Sequence, residues 1–423
     1  TQKPLRKTVE LDVPAGQYEV RMRKATVDYT GTSGANTVSW VQLKSYQRDT
    51  ASYNGQARLA VQIRASGQLN GALDELNARL RAKPMPYWNG SAWVTATDRA
   101  SGLCNPGAIF LLLCRGIYDD AGRKLAGLGY SDDRIDVEGL KTFMVHCAAN
   151  GFEFDLFLQE ATSIEELLEA VAYAGMGFRT RRGGKLGVGF FSATDPVRGV
   201  INMGSISARS FGVSYDTRPT ADELEFTWFD RDAAAWRSVR TLAPGVITPR
   251  TTGRQPLVGV SSEAHAAKLM RFAMAQNAYQ RKTVTCSMDL EYMTHQRGSV
   301  VALSHDMTQW GYSGRLQACE TVGSTVRLTL ADTAPGGIPA GYTGRYIGLR
   351  LVGEQQMRVF PVKPFAGSAR VIELDAAWPA GVPLPGTGSP ARDCLWVYDF
   401  KAVPGQLLRV VGIRPSADGA ELT

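Results

Sequence analysis

IDVEGLKTFMVHCAANGFEFDLFLQEATSIEELLEAVAYAGMGFRTRRGGKLGVGFF, residues 135–191, writes out a helix, a strand, a second helix and a hairpin in succession. Asp136 is placed to cap a helix whose apolar positions Leu140, Phe143, Met144, Cys147 and Ala148 recur at the three-and-four spacing of one buried face. Asn150-Gly151 stops it, because glycine enters the left-handed conformation that ends helices without steric cost. Phe152, Phe154, Leu156 and Leu158 alternate, which predicts a half-buried strand, and Ser163 with Glu166 has capping-box spacing ahead of Leu167, Leu168, Val171 and Ala172. Beyond Gly175 and Gly177, residues 178–180 and Leu186, Val188 and Phe190 predict two strands joined at Arg181-Arg182-Gly183-Gly184-Lys185. The block contains no catalytic pattern and reads as scaffold.

A chain of 423 residues exceeds one ordinary core and predicts two to four domains. Hydrophobic content of 44% and charged content of 21% are globular values, and 44 glycines with 20 prolines call for many turns. The longest apolar run, 108–114, falls far short of the roughly 20 residues of a membrane helix. The first residues, Thr-Gln-Lys-Pro, carry neither an initiator Met nor an apolar signal core, so the sequence is expected to be an internal piece of a longer protein. Cys104, Cys114, Cys147, Cys286, Cys319 and Cys394 include no Cys-x-x-Cys pair and predict free buried thiols. His146, His265, His295 and His305 are too scattered for a local zinc motif, and no metal-binding or cofactor-binding residue is assigned. The formal charge of +7 is spread along the chain with no basic run of four, which is weak support for direct nucleic-acid recognition.

Working outward from the opening block, the first hundred residues predict strands at Tyr18, Val20 and Met22, at Val38 and Trp40, and at Leu59, Val61 and Ile63, with a hairpin turn at Asn89-Gly90 between Trp88 and Trp93. Asn105-Pro106 opens a short apolar helix through Ile109 and Leu113. Phe211, Val213 and Tyr215, then Leu224, Phe226 and Trp228, alternate again, and Phe229-Asp230-Arg231-Asp232 reads as a turn. Ser262 caps a helix over 263–280, followed by a strand at 284–290. Eight short strands are expected after Gly298, at 300–303, 314–320, 326–330, 346–352, 357–362, 370–374, 394–398 and 407–413, a spacing that favours a barrel or sandwich. The fold class is therefore α+β, mostly β, and multidomain. Its expected divisions are a β-rich module at 1–103, an α/β domain at 104–200, strands with a long helix at 201–297, and a β-barrel-like domain at 298–423.

Chemistry is sparse. Gly183-Gly184-Lys185-Leu186 lacks the glycine spacing and hydroxyl of a phosphate loop, and Gly175-Met176-Gly177 ends a helix instead of opening one. Glycosidases need two carboxylates across a cleft, so Asp119-Asp120, Asp132-Asp133, Glu165-Glu166 and Asp230 with Asp232 are candidates by composition. Each has a structural role open to it in a turn or a first helical turn. Trp88, Trp93, Trp228, Trp236, Trp310, Trp378 and Trp396 could stack on sugars, although buried strand tryptophans are commoner. No catalytic residue is assigned.

Several segments, taken in order, resemble the central region of lambda-like phage tail tip attachment proteins, the host specificity J family. They are Pro4-Leu5-Arg6-Lys7-Thr8, residues 13–21 (VPAGQYEVR), Asn105-Pro106-Gly107-Ala108, Phe152-Glu153-Phe154, the helix from Glu165 to Gly175, and Gly183-Gly184-Lys185-Leu186. Residues 261–266 (SSEAHA), Gly298-Ser299-Val300-Val301 and Gly314-Arg315-Leu316 continue the series. The chain departs from the family at Cys104-Asn105-Pro106-Gly107 and Leu111-Leu112-Leu113, which bears on helix packing alone.

The resemblance implies a structural, non-catalytic virion protein: a homotrimeric central hub at the distal tail tip, built from β-barrel hub domains with an α/β domain between them. It implies contacts with other tail tip proteins and the tape-measure protein, DNA passing through the lumen without sequence recognition, and receptor attachment through regions outside these residues. It supplies no catalytic residue and no cofactor. A receptor- or glycan-binding module is the alternative that the tryptophans keep open, and a cell-wall hydrolase the one that the acidic pairs keep open. In isolation the chain is expected to be monomeric, since neighbouring tail proteins would contribute to the trimer.

Overall fold

The computed structural model describes residues 7–14, 16–32, 34, 36–44, 58–59, 61, 80–119, 121–158, 162–192, 195–215, 221–416 and 419–423. The chain divides into two units, Thr1–Ala60 and Val61–Thr423. In the first unit the described residues form no helix or strand, so the strands expected at Tyr18–Met22 and Val38–Trp40 are not formed, and those side chains are exposed. Alternation marks which side chains a sheet would bury but supplies no partner strand, and one strand alone is not stable. Ile63 lies outside the described residues.

The second unit begins with a hairpin, β1 (Met85–Trp88) and β2 (Trp93–Ala96), turned at Asn89-Gly90 as the sequence predicts, with Trp88 opposite Trp93. Helix α1 (Pro106–Arg115) is capped by Asn105, whose side chain accepts from the Gly107 and Ala108 amides and donates to Met144 O at 3.0 Å. A small ladder, β3 (Ile117–Tyr118) with β4 (Lys124–Ala126), leads to α2 (Val137–Asn150) and α3 (Ile164–Ala174). The hairpin β5 (Gly177–Arg182) and β6 (Lys185–Phe190) turns through Gly183 and Gly184 at positive φ. Asp136 caps α2 by accepting from Gly139 N–H at 3.1 Å, and Gly151 at φ 65° ends it. Asp136→Ala should remove that cap and cost about 1 kcal/mol, read as an earlier denaturation midpoint. Ser163 begins α3 without a side-chain cap bond, so the expected capping box is not made.

One core joins Met85, Tyr87 and Ala96 of the hairpin to Phe110, Leu111, Phe143, Met144, Leu168, Val171 and Val188. Gly107 permits α1 and α2 to cross closely, for a Cβ there would lie 2.7 Å from Met144 Cγ. The segment 152–158, expected as a strand, forms none among the described residues. Phe154 N–H donates to Cys104 O and Asp155 N–H to Gly259 O, both at 2.8 Å; Phe152 and Phe154 are buried, whereas Leu156, Phe157 and Leu158 are 43%, 68% and 49% exposed. The alternation is thus fulfilled over only half its length.

Next come β7 (Val197–Ile201), β8 (Gly212–Tyr215), β9 (Glu223–Asp230), β10 (Ala235–Leu242), β11 (Thr252–Pro256), α4 (Glu263–Tyr279) and β12 (Lys282–Met288). The turn read at 229–232 falls slightly later, with β9 running to Asp230, whose side chain accepts from the Asp232 and Ala233 amides. Ser262 caps α4 through His265 N–H, as expected. Helix α4 lies on the sheet β10-β9-β11, where Phe226 and Trp228 pack against Ala266, Leu269, Ala273 and Met274.

The remaining strands are β13 (Val300–Leu303), β14 (Tyr312–Val322), β15 (Thr325–Pro335), β16 (Tyr346–Arg350), β17 (Arg358–Pro361), β18 (Ser368–Glu373), β19 (Leu395–Asp399), β20 (Gln406–Arg409), β21 (Ile413–Ser416) and β22 (Gly419–Leu422). The single strand expected at 407–413 is two, β20 and β21. Six of these strands form an antiparallel sheet of order β17-β16-β19-β14-β15-β18. Its two edges meet: Val362 bridges Leu374, Lys363 N–H donates to Glu373 O at 2.9 Å and Asp375 N–H to Pro361 O at 2.8 Å. The sheet therefore closes into a barrel around Leu316, Leu328, Ile347, Trp396 and Tyr398, helped by register shifts in β14 and β15 that bend the strands.

Two further sheets, β21-β22-β12-β8 and β20-β13-β7, enclose Ile201, Cys286, Met288, Val301, Leu303 and Leu422 as a sandwich. A separate apolar seam of Val200, Ala302, Met357, Leu395 and Val397 joins sandwich to barrel, with Met357 N–H donating to Val197 O at 2.7 Å. The architecture is α+β and mostly β. Its cores are discontinuous in sequence, so the divisions drawn at 103/104 and 297/298 each fall within one hydrophobic cluster.

Candidate functional site

The most concentrated polar constellation lies where the segment after α2 meets the loops before α4. Arg99, in the turn after β2, reaches Glu153 Oε2 at 2.5 Å and Asp155 Oδ2 at 2.7 Å. Arg231, from the turn after β9, meets Glu153 Oε2 at 2.7 Å, and Ser261 Oγ donates to Asp155. Burial pushes the Asp155 carboxyl up, but hydrogen bonds from Ser261, Arg99 and Cys104 outweigh it and hold the group below the usual carboxylate range. Burial and the neighbouring Asp155 push the Cys104 thiol up to about 12. His265 is buried beside them: Nε2 donates to Ala174 O at 2.7 Å, which leaves Nδ1 to accept from Glu153 N–H at 3.4 Å. Burial holds its pKa below the ordinary histidine value despite the Ala174 bond.

This cluster ties four chain segments together, with Glu153 and Asp155 each paired to a cation. What the arrangement does is clamp the 152–155 segment between the α/β core and the α4 layer. Glu153→Ala removes the acceptor shared by Arg99 and Arg231 and should open this region by about 2 kcal/mol. Hydrogen exchange at the Phe154 and Asp155 amides would then quicken by roughly 30-fold. Residues 99, 153, 155, 231, 261 and 265 converge only through tertiary packing, and no spacing in the sequence signals them.

The acidic candidates are dispersed. Asp119 accepts from the Arg123 and Ala121 amides in its own turn, and its carboxyl is held low by the Arg123 contacts. Asp132 pairs with Arg115 at 2.7 Å, Glu165 with Arg179 at 3.2 Å and Asp230 with Arg237 at 3.3 Å, and all three carboxyls are held below their usual range. For Asp132 and Glu165 the arginine hydrogen bond is the leading cause; for Asp230 it is the Ala233 amide. Asp120 lies outside the described residues. Among the described residues, no group of three or more His, Cys, Asp or Glu is placed to hold a metal ion.

The tryptophans serve mainly in packing. Trp396 and Trp228 are buried, Trp378 stacks on Phe360 with ring centroids 5.3 Å apart, and Lys282 Nζ lies 4.6 Å from the Trp310 ring centre. Trp88 and Trp93 meet edge to face with Lys141 over Trp88, whereas Trp236 is 74% exposed. The six cysteines are free, four of them buried and Cys104 and Cys319 half-buried; burial raises every thiol. At the β5–β6 tip, Arg182 donates to Gln296 at 2.7 Å, Arg179 meets Glu165, and Arg297 lies 3.9 Å from Glu169. Those contacts fix the hairpin base to α3 and the loop before β13.

No protein-family model matches the chain, and no curated protein matches it. Among solved structures it aligns with a tail protein from Neisseria meningitidis MC58 at 12% identity and a TM-score of 0.29, over 53% of this chain and 60% of that one. It also aligns with a chain of the virion of a native gene transfer agent particle at 12% identity and a TM-score of 0.31, over 59% of this chain and 48% of that one. The chain thus spans less than two thirds of either neighbour, and superpositions at this level do not define a common fold.

Proposed function

We propose that the chain is a structural protein of a phage-type tail and, more specifically, the central hub of the tail tip, in the manner of the lambda-like host specificity J family. The observation that carries this reading is the pair of β bodies, a closed six-stranded barrel and a seven-stranded sandwich, fused through one apolar seam. The resembling segments imply barrel hub domains with an α/β domain between them; the chain has a barrel, a sandwich and an α/β block that precedes both in sequence. Fusion through buried side chains gives a rigid block suited to carrying load at the end of a tube. A homotrimer, which the resemblance implies, would set six β bodies around one axis.

In this role the chain acts without catalysis. It resides in the virion at the distal tail tip, contacts other tail tip proteins and the tape-measure protein, and lines a lumen through which DNA passes without sequence recognition. Host receptor attachment belongs to regions outside these residues. Immunogold labelling of assembled tails with an antibody to this chain tests the reading: label confined to the end distal to the head supports it, and label along the tube or at the head end refutes it.

A further inference from the structure

Sheet β10-β9-β11 is covered by α4 only in part. Among the described residues, strand β10 is an edge bonded to β9 alone, and all but one of its residues are exposed. Its Val239 and Thr241 lie opposite Phe226 and Leu224 and so share the face that packs on α4. There they line a groove of about 400 Å³ with Ala267, Met270, Met274 and Tyr279. On the opposite face Trp236 stands edge-on to Phe229, both exposed. An edge strand with apolar groups on both faces invites uncontrolled pairing unless something covers it.

The same chain presents the complementary element. Residues 152–158 alternate as one strand, yet only Phe152 and Phe154 find burial. Leu156, Phe157 and Leu158 stay exposed; in a strand Leu156 and Leu158 would share one face with Phe157 on the other, and among the described residues the amides of 156–158 find no backbone hydrogen-bond partner. An unfilled groove and an unpaired apolar strand at different places on one molecule define a heterologous contact, the type that closes rings of identical subunits.

We infer that residues 156–158 of one copy add to the free edge of β10 in the next copy. Leu156 and Leu158 enter the groove beside Met270 and Met274, and Phe157 packs against Trp236 on the opposite face. The aromatic, Met and Arg content around β10, with Arg237, Arg240 and Arg271, is that of an interface core. The inference rests on the homotrimer reading in that the occupant is a second copy of this chain.

The test uses a labelled peptide of residues 150–160 and, as recipient, the full chain carrying Leu156→Ser and Leu158→Ser, which cannot fill the groove itself. Saturable binding by fluorescence anisotropy is expected, weakened at least tenfold by Val239→Arg, an exposed position that leaves the core intact, and by Met270→Glu. No binding, or binding unchanged by both substitutions, overturns the inference. So does an unaltered chain that rejects the peptide while remaining monomeric by light scattering, since its groove is then filled from within. Copy number in assembled tails separates the two claims. Three copies without peptide binding remove the strand pairing alone; peptide binding with another copy number removes the trimer and leaves the strand pairing.

Discussion

Trp396→Ala should cost about 3–5 kcal/mol, the range for truncating a buried aromatic whose cavity the surroundings cannot refill. Trp396 is wholly buried on β19, at the centre of the closed barrel, and its Nε1–H donates to Arg315 O at 3.0 Å. The barrel is built to admit it. Gly314 lies opposite on β14, and a Cβ at that glycine would sit 2.9 Å from Trp396 Cζ2. Truncation therefore empties a space bounded by paired strands that cannot move inward without breaking ladder bonds, and it leaves the Arg315 carbonyl without its partner. Trp236→Ala is the control: that side chain is 74% exposed, and its loss should change stability by less than about 0.5 kcal/mol. Denaturant midpoints followed by circular dichroism compare the two. Equal effects would contradict the closed-barrel description.

Acid should destabilise the chain well above the carboxylate range. His295 is 5% exposed, its Nδ1 has no hydrogen-bond partner, and burial first, then Arg350, lowers its pKa to about 4. Burial also lowers His146 and His265. A histidine whose folded pKa is depressed binds protons more readily when unfolded, so its contribution is complete above about pH 6.5 and is lost as pH falls toward 4. For His295 alone a displacement of that size corresponds to roughly 3 kcal/mol. Equilibrium unfolding between pH 7.5 and 4 should therefore show stability declining through this window. His295→Gln should flatten the slope, and an unchanged slope in that variant would place the acid sensitivity elsewhere. Gly199 belongs to the same packing, because a Cβ there would lie 2.5 Å from His295 Cε1.

Local chemistry made much of the fold legible. Asn105, Asp136 and Ser262 cap the helices that their positions announce, because a short polar side chain before an apolar repeat has one favourable use. The hairpins at Asn89-Gly90 and Gly183-Gly184 follow equally from backbone freedom at glycine. Where the sequence misled, the missing term was tertiary. Ser163 precedes a helix without bonding to it, and the strand at 152–158 has the right alternation with no sheet to join. Strand β10, AWRSVRTL, lacks a clear alternation because both of its faces are exposed, so periodicity could not find it. Closure of the barrel depends on register shifts and on the Val362–Leu374 bridge, neither of which leaves a pattern in composition. The clamp around Glu153 and Asp155 was invisible for the same reason, its cations arriving from Arg99 and Arg231.

The discontinuous cores also bear on assembly. Strands β7 and β8 pair with β13 and β12 and share their sheets with β20, β21 and β22, some two hundred residues later, so the sandwich forms only after most of the chain is present. The α4 layer, inserted between β8 and β12, projects β10 as a separate edge.

The proposed trimeric hub of a tail tip is decided by a cryo-electron microscopy map of the intact tip. Three copies are expected around the tail axis, with sandwich and barrel alternating in a ring of six β bodies about the lumen. A map with any other copy number, or with these β bodies directed away from the lumen, would contradict it.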